Sequence, residues 1–133
     1  MSTRNVIFAF VGTMLALLAV DAVWLGLLMG PTYHTYIGDL TLAEPKLLPA
    51  ALFYLLYPVG LLVFAVVPAL RKHDWRAALV LGGLLGLVAY GTYDLSNLAT
   101  LRGWAWQLTV IDMAWGTFLS ALAACAGYAA GKF

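Results

Sequence analysis

Residues 5–29 read NVIFAFVGTMLALLAVDAVWLGLLM, a run of 25 positions with no lysine, arginine or glutamate and a single acid, Asp21. At 1.5 Å of rise per residue, about 20 apolar residues carry a helix across roughly 30 Å of hydrocarbon. The run is long enough to do so. Working outward, the pattern recurs over 47–70, 77–98 and 104–130, and none of these stretches contains a basic residue. Transmembrane β-strands need only about 10 residues of alternating character, so runs this long and this continuous predict helices. The reading is an all-α integral membrane protein, a four-helix bundle forming a single transmembrane domain over 1–133, with a loop at 30–46.

Composition agrees, with 64% hydrophobic and 10% charged residues. A water-soluble domain with so few charges would leave its surface largely apolar. The net charge of +1 gives no reason to expect a nucleic acid partner. Arg4 followed by an apolar stretch and Val20-Asp21-Ala22 resembles a secretory signal with its cleavage site. The apolar run, however, continues from Val23 to Met29, beyond the usual 7–15 residue signal core, so the first helix is expected to stay. Cys125 is the one cysteine and reads as a small apolar filler.

Basic residues are unevenly placed. Arg4, Arg71, Lys72, Arg76 and Lys132 fall on one side of the predicted spans, and Lys46 and Arg102 on the other. By the positive-inside rule this predicts an N-in/C-in topology, with the 30–46 loop outside. Trp75 then fits the inner interfacial belt, and Trp104 with Trp106 the outer one. The 30–46 loop is expected to be a plain interfacial connection. A lid formed by Tyr33, His34, Tyr36 and Ile37 is the second reading. No second histidine or cysteine lies near His34, so no metal site is expected.

Three acids, Asp21, Asp94 and Asp112, lie inside the spans, where an ionised carboxylate costs a few kcal/mol even on lenient scales. Their depths can be counted. Asp21 is eight positions before Met29, Tyr54 seven after Leu47, Asp94 seven before Leu101 and Asp112 eight after Trp104. Each therefore lies roughly 10–12 Å below the outer surface. Tyr57, Tyr93, Ser96, Asn97 and Thr109 fall in or next to the same layer, and the inner halves of the spans read as almost devoid of polar residues. Asp21-Ala-Val-Trp24 matches Asp112-Met-Ala-Trp115, and Tyr54-x-x-Tyr57 matches Tyr90-x-x-Tyr93. A spacing of three places each pair on one helical face. Tyr90, Asp94 and Asn97 form an i, i+4, i+7 stripe. Gly82-Gly83-x-x-Gly86 is a small-residue pattern that lets another helix approach closely. Pro58 is expected to kink the second helix, and Pro68 to kink or end it.

Asp21-Ala-Val-Trp24-Leu-Gly26, Tyr54-Leu-Leu-Tyr57, Tyr93-Asp94-Leu-Ser-Asn97-Leu-Ala-Thr and Asp112-Met-Ala-Trp115-Gly-Thr resemble the small bacterial membrane-protein family catalogued as domain of unknown function 2177. The resemblance covers essentially the whole chain. It implies a multi-pass protein of the bacterial inner membrane whose genes lie near those of fatty-acid methyltransferases and related lipid-modifying enzymes. Membrane lipids and such enzymes are the partners it suggests. It supplies no activity, cofactor or catalytic residue.

Four functions fit these residues. The leading one is binding of a lipid or another small apolar or cationic ligand in the layer formed by Asp21, Trp24, Tyr54, Tyr57, Tyr90, Tyr93, Asp94, Asn97, Asp112 and Trp115. A proton-coupled transporter is the alternative. In size the chain is similar to the small multidrug-resistance exporters, whose protomers pair, so a homo-oligomer belongs to this reading. Its acids on helices 1, 3 and 4 depart from that family's glutamate in the first helix, and its charge bias departs from balanced loops. A lipid-modifying enzyme could use Asp94 with Tyr90, or Asp21 with Asp112, as an acid/base pair, although HExxH and GxSxG are both missing from the sequence. In a structural subunit the acids would only fix helix register.

Overall fold

The computed structural model describes residues 2–29, 35–38 and 46–132. Helix α1 (Thr3–Val23) starts where the Ser2 hydroxyl accepts the Asn5 backbone N–H, a side-chain cap for an otherwise unpaired donor. Its buried residues, Ala9, Thr13, Leu17 and Asp21, recur every four positions and make one inward stripe. The helix then continues as a π-helical segment, Trp24–Met29.

Helix α2 spans Leu47–Lys72. It is α-helical over Leu47–Leu61 and Val67–Lys72, with a π-helical segment, Leu62–Val66, between them. The two prolines flank this segment. Neither Pro58 nor Pro68 has an N–H, and the Pro68 ring would crowd the Phe64 carbonyl in a regular turn, so the turn widens. The helix carries on through Pro68 to Lys72 and does not end there. It stops at His73, a left-handed residue (φ 53°) whose N–H closes the last turn on Ala69 and Leu70. Asp74 caps the next helix by accepting the Arg76 N–H at 3.0 Å. Helix α3 (Trp75–Thr100) is followed by a turn with Gly103 at φ 82°, and helix α4 (Trp106–Gly131) completes the bundle.

These four helices are each long and apolar enough to cross a membrane. Polarity is distributed accordingly. Leu15, Leu48, Leu56, Phe64, Val80 and Phe118 are exposed, whereas Thr13, Asp21, Asp94, Thr109, Asp112 and Ser120 are buried. Against hydrocarbon an exposed leucine loses nothing, and polar groups find partners only inside.

Helix α4 is the hub, paired most extensively with α3 and α1. Small residues make those pairings close. A Cβ added at Gly86 would meet the Gly116 carbonyl and the Ser120 side chain, and one at Gly127 would overlap the Thr13 hydroxyl. The glycine pattern of α3 is therefore a packing surface. Near the chain-terminal end Ala9, Ala65, Val66, Ala69, Leu70, Ala78 and Ala124 form a closed core, with Cys125 packed against it. Thr13 and Ser120 are buried polar residues in spans whose inner halves read as almost devoid of them. The Thr13 hydroxyl donates to the Ala9 carbonyl at 2.8 Å, and Ser120 pairs with Tyr57.

Candidate functional site

Asp21 is four residues beyond Leu17 on the inward stripe of α1, so it projects between α2 and α4. The Tyr54 hydroxyl donates to its Oδ2, and the Trp115 indole N–H donates to its Oδ1 at 3.2 Å. One carboxyl thus ties three helices together. Its companion Trp24 stacks on Trp115, with ring centroids 4.0 Å apart and planes 5° from parallel. The two Asp-x-x-Trp motifs therefore meet through their indoles. In α1 the motif runs into the π-helical segment that begins at Trp24.

Asp94 has a different environment. It is 0% exposed, and among the described residues neither of its oxygens has a hydrogen-bond donor. Its polar neighbour is Asp112 of α4, a second carboxyl close by. Around this pair the rings form a cage. Tyr57 is buried and meets Tyr90 edge-on at 6.2 Å, and its hydroxyl pairs with Ser120. Tyr93 meets Trp104 edge-on at 5.6 Å, and Asn97 lies within hydrogen-bonding reach of Tyr93. Tyr90 packs against Gly116, a position where any Cβ would overlap its ring.

These groups enclose a cavity of about 580 Å³, lined by Asp21, Leu25, Ile37, Phe53, Tyr57, Ala89, Tyr90, Tyr93, Asp94, Trp104, Leu108, Asp112 and Trp115. That volume lies within the usual range for small-molecule sites. Seven of the ten residues singled out from sequence line it. The other three, Trp24, Tyr54 and Asn97, stand one layer back and hold Trp115, Asp21 and Tyr93 respectively. Among the described residues none that lines the cavity is basic. Among the described residues no three His, Cys, Asp or Glu side chains are grouped closely enough to hold a metal ion.

Two placements differ from the sequence reading. Trp104 is only 9% exposed and lines the cavity, so of the two tryptophans expected in the outer belt only Trp106 is exposed. The Trp104 indole N–H donates to Thr109 Oγ1 at 3.0 Å, which folds the ring inward. Ile37 also lines the cavity, so this described part of the 30–46 loop contributes to the site where a plain connection was expected. Of the other parts of the lid reading, Tyr36 is not among the lining residues, and Tyr33 and His34 lie outside the described residues. Ser120 was missed, although Asp112, Gly116 and Ser120 repeat every four residues along α4 and that spacing points to it.

Among curated proteins and solved structures, none matches this chain. One sequence family does, over residues 6–129, described as predicted membrane protein (DUF2177). The chain belongs to that family.

Proposed function

We propose that the cavity between α1, α2, α3 and α4 binds a small apolar molecule, or the end of a lipid, that carries a cationic head. The observation behind this reading is Asp94, fully buried beside a second carboxyl and without a donor among the described residues. A buried polar group left unpaired costs about 1–3 kcal/mol, and a protonated amine supplies both the missing N–H groups and the missing positive charge. Rings support the same chemistry. Tyr57, Tyr90, Tyr93, Trp104 and Trp115 present aromatic faces or edges to the cavity, and a cation held over a ring gains about 0.5–2 kcal/mol. Leu25, Ile37, Phe53, Ala89 and Leu108 would take up an apolar tail. Asp21 has two donors already and acts as a strut.

The excess of basic residues on one side supports a cytoplasmic location for both termini. The cavity would then open toward the outer leaflet of a bacterial inner membrane, where lipids are its nearest source of ligand.

Hexylammonium, hexanol and hexanoate share one tail and differ in the head. Titrated into the detergent-purified protein and followed by tryptophan fluorescence, hexylammonium is expected to bind tightest and hexanoate weakest. Asp94→Asn should weaken hexylammonium about tenfold, or about 1.4 kcal/mol, and leave hexanol unchanged. Native mass spectrometry of the wild type should also show a retained species that Asp94→Asn loses. Equal affinity for the three heads, or an Asp94→Asn protein that binds hexylammonium as well as wild type, would sink the proposal.

A further inference from the structure

A second cavity, of about 330 Å³, lies at the opposite end of the bundle and has the opposite chemistry. Its polar lining is Asn5 from the first turn of α1, Arg71 and His73 from the end of α2, and Tyr128 and Lys132 from the end of α4. Among the described residues no carboxylate lines it. The acid nearest in sequence, Asp74, accepts the Arg76 N–H as a helix cap. Asn5 is oriented by Ser2, whose hydroxyl donates to Asn5 Oδ1 at 2.7 Å, so the amide NH2 is the part left to donate. The tight seam of α1 with α4 brings the elements together, since a Cβ at Gly131 would stand 2.7 Å from that of Ala9 and 3.1 Å from the Asn5 carbonyl. His73 adds a backbone argument. Glycine is the usual residue for a left-handed helix stop because it has no Cβ penalty, yet this stop carries an imidazole, whose side chain lines the cavity.

From this juxtaposition of Arg71, His73 and Lys132 with Asn5 and Tyr128 we infer a phosphate-binding site for the headgroup of an anionic phospholipid. Two helix C-termini end nearby and attract cations by their dipoles. That accounts for basic residues in the last turns, but not for a concave space whose polar lining offers donors from three elements. A water occupies about 30 Å³ of liquid, so the cavity holds on the order of ten such volumes, enough for a phosphodiester and the start of its glycerol. Its place at the end of four membrane-length helices is where headgroups lie, and basic pockets between transmembrane helices are suited to anionic lipids. The site is separate from the Asp94 cavity and does not depend on what binds there.

Full-length protein is incubated with equimolar phosphatidylglycerol and phosphatidylcholine of identical acyl chains, and the retained lipids are weighed by native mass spectrometry. Wild type should keep one phosphatidylglycerol at least fivefold in preference to phosphatidylcholine. The double variant Arg71→Gln/Lys132→Gln should bring the ratio close to one, while Arg102→Gln, at the far end, should keep the wild-type ratio. A wild-type ratio near one overturns the inference without any variant, so it stays testable if the double variant does not fold. An undiminished ratio in a folded double variant also overturns it. So does stabilisation of the wild type by inorganic phosphate without any preference for phosphatidylglycerol, because the site would then hold free phosphate and not a headgroup.

Discussion

At the end of the bundle formed by Ala9, Leu70, Ala78 and Ala124, the helices meet through alanine and glycine; at the other end the same helices are held apart by rings and carboxyls. The bundle is thus tightly packed in one half and hollow in the other, with the smaller basic cavity lying beyond the packed core. Gly127 lets α4 reach the Thr13 hydroxyl, and Gly116 lets it accept the face of Tyr90. Toward the hollow end the α4 stripe passes from Gly116 to Asp112, and α1 passes from Leu17 to Asp21. Small residues fix how closely the helices pack, and that close packing anchors the large residues that keep the cavity open. Glycine sets the geometry, and aspartate and tyrosine use it.

The strongest way to break this division is to wedge open the closed half. Gly127→Leu should cost about 3 kcal/mol, near the upper end for overpacking, and should sharply lower the yield of monodisperse protein on size exclusion. Survival of that variant with a wild-type melting temperature would show that the seam is not where the helices are clamped. Within the hollow half the two acids should respond in opposite directions. Asp21→Ala leaves the Tyr54 hydroxyl and the Trp115 N–H without their acceptor and should destabilise the ligand-free protein by about 2 kcal/mol. Asp94→Leu removes a carboxyl without a donor and has the cavity to expand into, so it should stabilise the ligand-free protein by about 1 kcal/mol. Thermal unfolding of both variants decides, and shifts of the same sign would refute the distinction between strut and binding group. The smallest effect belongs to Trp115→Phe, which keeps a ring against Trp24 but removes one hydrogen bond. A loss of about 0.6 kcal/mol is expected, the average for hydrogen bonds between transmembrane helices.

Four membrane-length helices were legible because apolar run length depends on bilayer thickness, a constraint outside the protein. Depth was legible too, since a helix rises by a fixed amount per residue, and counting inward from four ends brings Asp21, Tyr54, Asp94 and Asp112 to a common level. Rotation was harder to read. Which acid gains donors depends on the angle of each helix about its own axis and on the neighbour it meets. Sequence therefore could not separate Asp21, held by Tyr54 and Trp115, from Asp94, which has no donor among the described residues. Trp104 shows the same limit at a helix end. Its position before α4 suggests an interfacial anchor, but one bond to Thr109 five residues on turns it into the cavity wall. The π-helical segments were not foreseen either. Pro58 and Pro68 suggested a kink in α2, while nothing in Trp24–Met29 includes a proline.

Trp24 and Trp115 stand face to face across the seam between α1 and α4. Two indoles so close and nearly parallel share their electronic excitation, and an in-plane angle between their transition dipoles is what makes such a shared transition optically active. The protein therefore carries its own gauge of the hollow half. A couplet in the tryptophan region of its circular dichroism would report the spacing of α1 and α4, and its loss would mark the moment those helices separate.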